Sequence, residues 1–116
     1  MEAQSKAELL RIFVSESDKV RHLPLSEAIV REAKAAGLAG ATAWKGVMGF
    51  GPTTRIRTAK ILDLSADMPI VVEITDLEEK IAAFLPTLDR LFEEGKCGGL
   101  VTREKVQIIR YAHGQH

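Results

Sequence analysis

Cysteine is almost missing from this chain: Cys97 stands alone among 116 residues, so no disulfide can form within it. Asparagine is missing altogether. Aromatic residues make up 5%, with a single tryptophan, Trp44, and a single tyrosine, Tyr111. That is too few rings, without a basic surround, for the stacking face of an RNA-recognition module. Net charge is lacking as well, since 16 basic residues balance 16 acidic ones. No nucleic-acid partner is expected, and any basic site must be local. No apolar run approaches the ~20 residues that cross a bilayer, so direct membrane insertion is not expected. The start "MEAQSKAELL" does not follow the basic, apolar, small-residue order of a secretory signal, and the expected location is the cytoplasm. His22, His113 and His116 are too scattered for a metal set. No local spacing marks a Ser-His-Asp or Cys-His arrangement. No enzyme, catalytic residue or metal is therefore expected.

What the chain does have is 46% hydrophobic residues, enough for one domain over residues 1–116. "ELLRIFVSE" (Glu8 to Glu16) is a strand by length and content. "PLSEAIVREAKAAG" is an amphipathic helix with Pro24 in its first turn, Leu25, Ile29, Ala33 and Ala36 on one face, and Gly37 as its stop. "GATAWKGVMG" begins a second strand and "MPIVVEIT" (Met68 to Thr75) is a third. "DLEEKIAAFLPTLDRLFEEG" opens with Asp76 and Glu79 at capping-box spacing and sets Leu77, Ile81, Phe84, Leu88 and Leu91 on one stripe. Pro86 falls inside this helix and predicts a kink or short break; Gly95 ends it. "KCGGLVTRE" reads as a loop, "KVQIIRYA" (Lys105 to Ala112) as the last strand, and 113–116 as a short polar tail.

The order strand, helix, strand, strand, helix, strand predicts an α+β fold of the ferredoxin-like βαββαβ kind: a four-stranded antiparallel sheet with both helices on one face. Leu10, Ile12 and Val14 then point one way and Leu9 and Phe13 the other, while Val71 opposes Ile70, Val72 and Ile74. A half-exposed sheet should alternate apolar with polar. Strands apolar on both faces predict burial of the second face in an oligomer; a few apolar residues facing water is the plainer alternative.

"WKGVMGFGPTTRIRTAK" (Trp44 to Lys60) starts like a strand and runs into the loop between the second and third strands, roughly residues 50–67. Glycines at its root let backbone amides approach a ligand, and Arg55, Arg57 and Lys60 attract phosphate or an acidic partner surface. An ordinary surface connection is the competing reading. Much of Pro52 to Ala66 is expected to be mobile, with Ile56, Ile61, Leu62 and Leu64 available for a short helix or a packed face. "GKCGG" (Gly95 to Gly99) has neither Walker nor dinucleotide-binding spacing. Cys97 is either a mildly activated thiol or a small buried filler.

In this order "GATAWKGVMGFGPTTRIRTAKILDLSADMPIVVEI", "KIAAFLPTLDRL" and "GGLVTREKVQIIRY" resemble the PII-like family from Leu9 to Tyr111. The likeness is greatest to its uncharacterised branch, domain-of-unknown-function family one-ninety. The resemblance implies a cytoplasmic homotrimer of ferredoxin-like subunits that acts in signalling. It also implies an adenine nucleotide in the cleft between subunits and a long loop that grips a protein partner. "KGVMGFG" (Lys45 to Gly51) is similar to the family's strand-to-loop transition and implies Gly49, Phe50 and Gly51 as ligand-binding residues. "GKCG" (Gly95 to Gly98) is similar to the start of its second ligand loop and implies Lys96, Gly98 and Gly99; Arg103 or Arg110 is expected to supply further charge to an anionic ligand there. Where PII continues Asp-Gly-Lys, this chain has Gly99, Leu100 and Val101, and no tyrosine stands in the long loop for modification.

The leading reading is therefore a trimeric PII-like sensor. It binds a small anionic ligand, an adenine nucleotide being the candidate, between subunits and docks through Arg55, Arg57 and Lys60 on a partner such as a membrane transporter or channel. A ligand-free oligomeric interaction module is the alternative. A small phosphate-handling enzyme of the acylphosphatase kind comes third, because that chemistry positions water with an asparagine this chain lacks.

Overall fold

The structure, a computed structural model, describes residues 6–51, 57–58 and 67–114. Its main elements are β1 (Ala7–Ser15), α1 (Leu25–Ala35), β2 (Thr42–Lys45), β3 (Pro69–Leu77), α2 (Glu78–Gly95) and β4 (Leu100–Val106). β1 pairs antiparallel with β3 on one side and β4 on the other, and β2 pairs with β3, giving the sheet order β2-β3-β1-β4. This is the expected α+β, ferredoxin-like architecture.

The two faces of the sheet divide as the alternation predicts. Leu10, Ile12, Val14, Ile70, Val72 and Ile74 are buried in one cluster with Leu25, Ala28, Ile29 and Ala33 of α1 and Ile81, Phe84, Leu88 and Leu91 of α2. Each such Leu, Ile or Phe removed from water contributes on the order of 1.5–3 kcal/mol, which is why both helices lie on this face. On the other face the register aligns Leu100, Phe13, Val71 and Trp44 in one row across all four strands. Trp44 is 58% and Leu100 55% exposed. No helix covers this row among the described residues.

Several boundaries differ from the sequence reading. The last strand is Leu100–Val106 rather than Lys105 to Ala112. β1 starts at Ala7, whose partner is Val106, so residues farther along have no strand to pair with. The second strand is only Thr42–Lys45: the Gly46 amide still donates in register to the Pro69 carbonyl at 2.7 Å, but proline has no N–H to return the bond. Ala36 is an exposed cap residue, not part of the buried stripe. The last turn of α1 closes early through Leu38 N–H to Ala33 C=O at 3.1 Å, with Gly37 at φ 77, a Schellman arrangement. α2 runs through Pro86 without a break; Pro86 and Ala82, whose carbonyl loses its helical donor, are both exposed, so water can serve the freed oxygen. A turn the sequence did not reveal joins the paired dipeptides Lys19–Val20 and Leu23–Pro24, with Arg21 and His22 both at positive φ. Arg21 offsets that strain by bonding Glu94 at 2.8 Å on α2 and Glu32 at 3.1 Å on α1.

The capping box is also replaced. β1 pairing extends to Glu8–Asp76 and Ala7–Leu77, which keeps Asp76 extended, and Leu77 becomes both the strand's last residue and the residue before α2, so it leaves the helical stripe. Asp76 is 1% exposed. Its Oδ1 accepts from the Leu77 amide at 2.6 Å and its Oδ2 from the Ala39 amide at 2.8 Å. Asp76→Ala strands both donors and is expected to cost about 1–3 kcal/mol for each one left buried and unmatched. Urea unfolding reads this directly, and a loss within ~0.5 kcal/mol, the range of an ordinary surface change, would show the carboxylate to be dispensable.

Candidate ligand and docking site

Lys45 ends β2 with its Nζ 2.7 Å from Glu16. The chain then passes Gly46, where a Cβ would lie 2.8 Å from Pro69 Cγ, so only glycine fits against that ring. Met48–Gly49 pairs antiparallel with Arg57–Thr58, and the long loop therefore leaves the sheet as a narrow ribbon. Val47, Met48 and Phe50 stand out from it, 77%, 64% and 69% exposed. Gly49 has Pro69 Cγ at 3.3 Å from its Cβ position, whereas nothing among the described residues lies within 4 Å of that of Gly51. Arg55 and Lys60 lie outside the described residues, as do Ile56, Ile61, Leu62, Leu64 and, apart from the Arg57–Thr58 pairing, the stretch expected to be mobile. Where β3 begins, Asp67 accepts from the hydroxyls of Ser15 and Ser17 and from the Ser17 amide at 2.8 Å, which ties the returning chain to the end of β1.

The second glycine segment caps α2. The left-handed position is taken by Lys96, φ 53, not by Gly95. Gly95 is needed for packing: a Cβ there would meet the Lys19 carbonyl at 2.7 Å. A lysine in this conformation costs roughly 1–2 kcal/mol that a glycine would not. Cys97 packs against the core and its thiol lies 3.3 Å from the Gly95 carbonyl. Burial, and then the Asp18 charge, push the thiol pKa up, so it stays protonated and behaves as a filler. Gly99 nests on Phe92 and the Phe13 carbonyl, its Cβ position only 2.6 Å and 2.9 Å from them.

Both glycine segments lie at the same end of the sheet, one leaving β2 beside Pro69, the other entering β4 beside Phe13. They stand on opposite edges, three strand spacings or about 14 Å apart. A single chain does not bring Gly49, Phe50 and Gly51 together with Lys96, Gly98 and Gly99. Arg103 is engaged elsewhere, since its Nε and Nη2 bond Glu8 Oε1 at 2.9 and 2.6 Å on the helix side. Arg110 lies toward the other end of the sheet, lining a groove of about 480 Å³ with Leu9, Ala39, Thr42, Trp44, Glu73 and Tyr111.

That groove, and the polar network beside it, were not visible in the sequence. Arg11 on β1 bonds Glu73 of β3 at 2.9 Å and Glu104 of β4 at 2.6 Å, and Trp44 of β2 donates its indole N–H to Glu73 at 2.7 Å. The four side chains link all four strands across the open face. Only register reveals this, because sequence separations of 29 to 93 residues leave no local trace.

A family pattern spans nearly the whole of this arrangement: the DUF190 family (uncharacterized ACR) matches residues 7–108. The chain belongs to the DUF190 family. Its DUF190 relatives include a UPF0166 protein of Aquifex aeolicus (strain VF5), 41% identical over 104 residues that cover 90% of this chain and 94% of that one. A UPF0166 protein of Methanocaldococcus jannaschii is 34% identical over 96 residues, 83% and 85% of the two chains. Among solved structures the DUF190 chain is similar to CPII, a nitrogen regulatory PII-like protein from Thiomonas intermedia K12 bound to ADP, AMP and bicarbonate. The TM-score is 0.67 at 20% identity, with 90% of each chain covered. A phage SAM lyase in complex with S-methyl-5'-thioadenosine superposes at a TM-score of 0.52 and 18% identity, covering 96% of this chain and 90% of that one. At these identities the likeness is one of fold, and the fold of this DUF190 protein is PII-like.

The Arg11 guanidinium, and next the Trp44 indole N–H, hold the Glu73 carboxyl below the usual carboxylate range. A depressed folded-state pKa stabilises the protein above the unfolded value of about 4.3, and that stability is lost as pH falls through the folded value. Glu73→Gln is therefore expected to be less stable than the parent at pH 6–7, with the two urea midpoints converging as pH falls below ~4. A gap that persists unchanged at pH 3 would assign the effect to packing instead of charge.

Proposed function

We propose that this protein is a PII-like regulatory subunit, a homotrimer that binds a small anionic ligand in the cleft between subunits and docks on a protein partner through its long loop. The observation that carries the reading is the placement of the two glycine segments at one end of the sheet on opposite edges. Such segments meet when neighbouring copies set unlike edges side by side. The row Leu100, Phe13, Val71 and Trp44 supplies an apolar surface for that contact. Gly49, Phe50 and Gly51 from one subunit and Lys96, Gly98 and Gly99 from the next would then line the cleft, with backbone amides and the Lys96 ammonium facing the anion. A lysine kept in a strained conformation at this position supports a need for its charge. CPII, of like fold, is bound to ADP and AMP, which makes an adenine nucleotide the ligand to try first. Arg55, Arg57 and Lys60 would serve docking, joined by the exposed Val47, Met48 and Phe50 at the ribbon's base. The binding reading is preferred over catalysis because the cleft groups just named are amides and cations, with no nucleophile–base pair among them.

Sedimentation should give three times the 12.7 kDa chain mass at micromolar concentration, and titration calorimetry with ATP, ADP and AMP should show heat with at least one. Gly51→Val is the sharpest variant, since a Cβ there meets nothing within 4 Å among the described residues. Binding should weaken by tenfold or so, about 1.4 kcal/mol, with the melting temperature unchanged. A monomer, or a Gly51→Val protein that binds every nucleotide as the parent does, would overturn the cleft.

A further inference from the structure

Residues 107–114 follow β4 without regular secondary structure, yet they stay on the molecule. β4 ends with Val106 opposite Ala7, on the edge of the sheet away from β2. Five residues later the Tyr111 hydroxyl donates to the Ala39 carbonyl at 3.2 Å, just ahead of β2. Five residues at up to ~3.5 Å each can span the three strand spacings, so the segment crosses the open face from edge to edge. Ile108, Arg110 and Tyr111 line the same groove as Leu9 of β1, Thr75 of β3 and Trp44 of β2. Ile109, between them, is 74% exposed, as an extended segment with one side inward requires.

The anchor is built into the fold. Ala39 receives Tyr111 on its carbonyl while its amide is held by the buried Asp76 carboxylate at 2.8 Å. The attachment itself is light, because one neutral hydrogen bond at an exposed position shifts an equilibrium only about two- to ten-fold.

We propose that residues 107–114 are a strap that closes over the open-face groove, latched by Tyr111 on Ala39 and seated by Ile108, and that it governs access of small molecules to the groove. The strap's closure is intrinsic to one chain and needs no ligand in the subunit cleft, so it stands or falls separately from the function proposed above.

The sole tyrosine and sole tryptophan of the chain line this one groove, and energy transfer from Tyr111 to Trp44 reports closure directly. In the full-length native protein, tyrosine emission is expected to be strongly quenched relative to the guanidinium-unfolded chain. Ile108→Ser, and independently Arg110→Ser, should recover part of that emission, while Ile109→Ser should not. Refolding wild-type chains with excess Trp44→Phe chains should leave the transfer of the wild-type chains intact. Full tyrosine emission in the native protein, equal responses at Ile108 and Ile109, or loss of transfer on mixing would each overturn the strap; the last would show that the segment reaches a neighbouring copy instead.

Discussion

The buried carboxylate of Asp76 is the constraint on which the layout of this molecule turns. It sits near the end of β3, directly opposite Glu8 on β1, and the two acids are 1% and 8% exposed. Two acidic side chains side by side in an apolar layer are costly unless each is supplied with hydrogen-bond partners. Arg103 supplies Glu8 from β4, and two backbone amides supply Asp76. One of those amides belongs to Leu77, the residue before α2, and the other to Ala39 in the connection between α1 and β2. One side chain thus ties the end of β3 to the residue whose carbonyl receives Tyr111.

The open face solves a different problem. Exposed ion pairs contribute little to stability, typically about 0–1 kcal/mol, so the Glu104–Arg11–Glu73–Trp44 chain of contacts is not there chiefly to hold the sheet together. Its position gives it another role. A slip of one residue in β1 would carry Arg11 into the helix-facing core, so the network specifies register on a face whose apolar row would tolerate other pairings. The polar row runs beside the apolar row of Leu100, Phe13, Val71 and Trp44, leaving that row free at the end where both glycine segments emerge.

The fold was legible because its determinants are local or periodic. The two-sided strands "ELLRIFVS" and "PIVVEIT" and the stripe Ile81, Phe84, Leu88 and Leu91 can be read residue by residue, and the structure buries the sides they indicate. The misreadings share a cause. Asp76 looks like a cap and Lys105 to Ala112 looks like a strand until cross-strand pairing is known; pairing at Glu8–Asp76 and Ala7–Val106 decides both. The same limit hid the groove. Trp44, Glu73 and Tyr111 come from three parts of the chain, and nothing in their spacing marks them as neighbours.

Glycine shows how far a motif can be trusted as evidence for a site. Gly46, Gly95 and Gly99 each sit where a Cβ would press on backbone or on a ring, and packing of this chain alone accounts for them. Packing explains why these positions are glycine; what bears on a ligand is where the two segments lie. Gly51 differs, because no described residue comes within 4 Å of its Cβ position. Lys96 differs in the opposite sense, as a side chain held in a conformation glycine would adopt more easily. Packing among the described residues does not require the first, and backbone energetics disfavour the second. They lie on opposite edges at the same end of the sheet, which is where copies of the chain would bring them together.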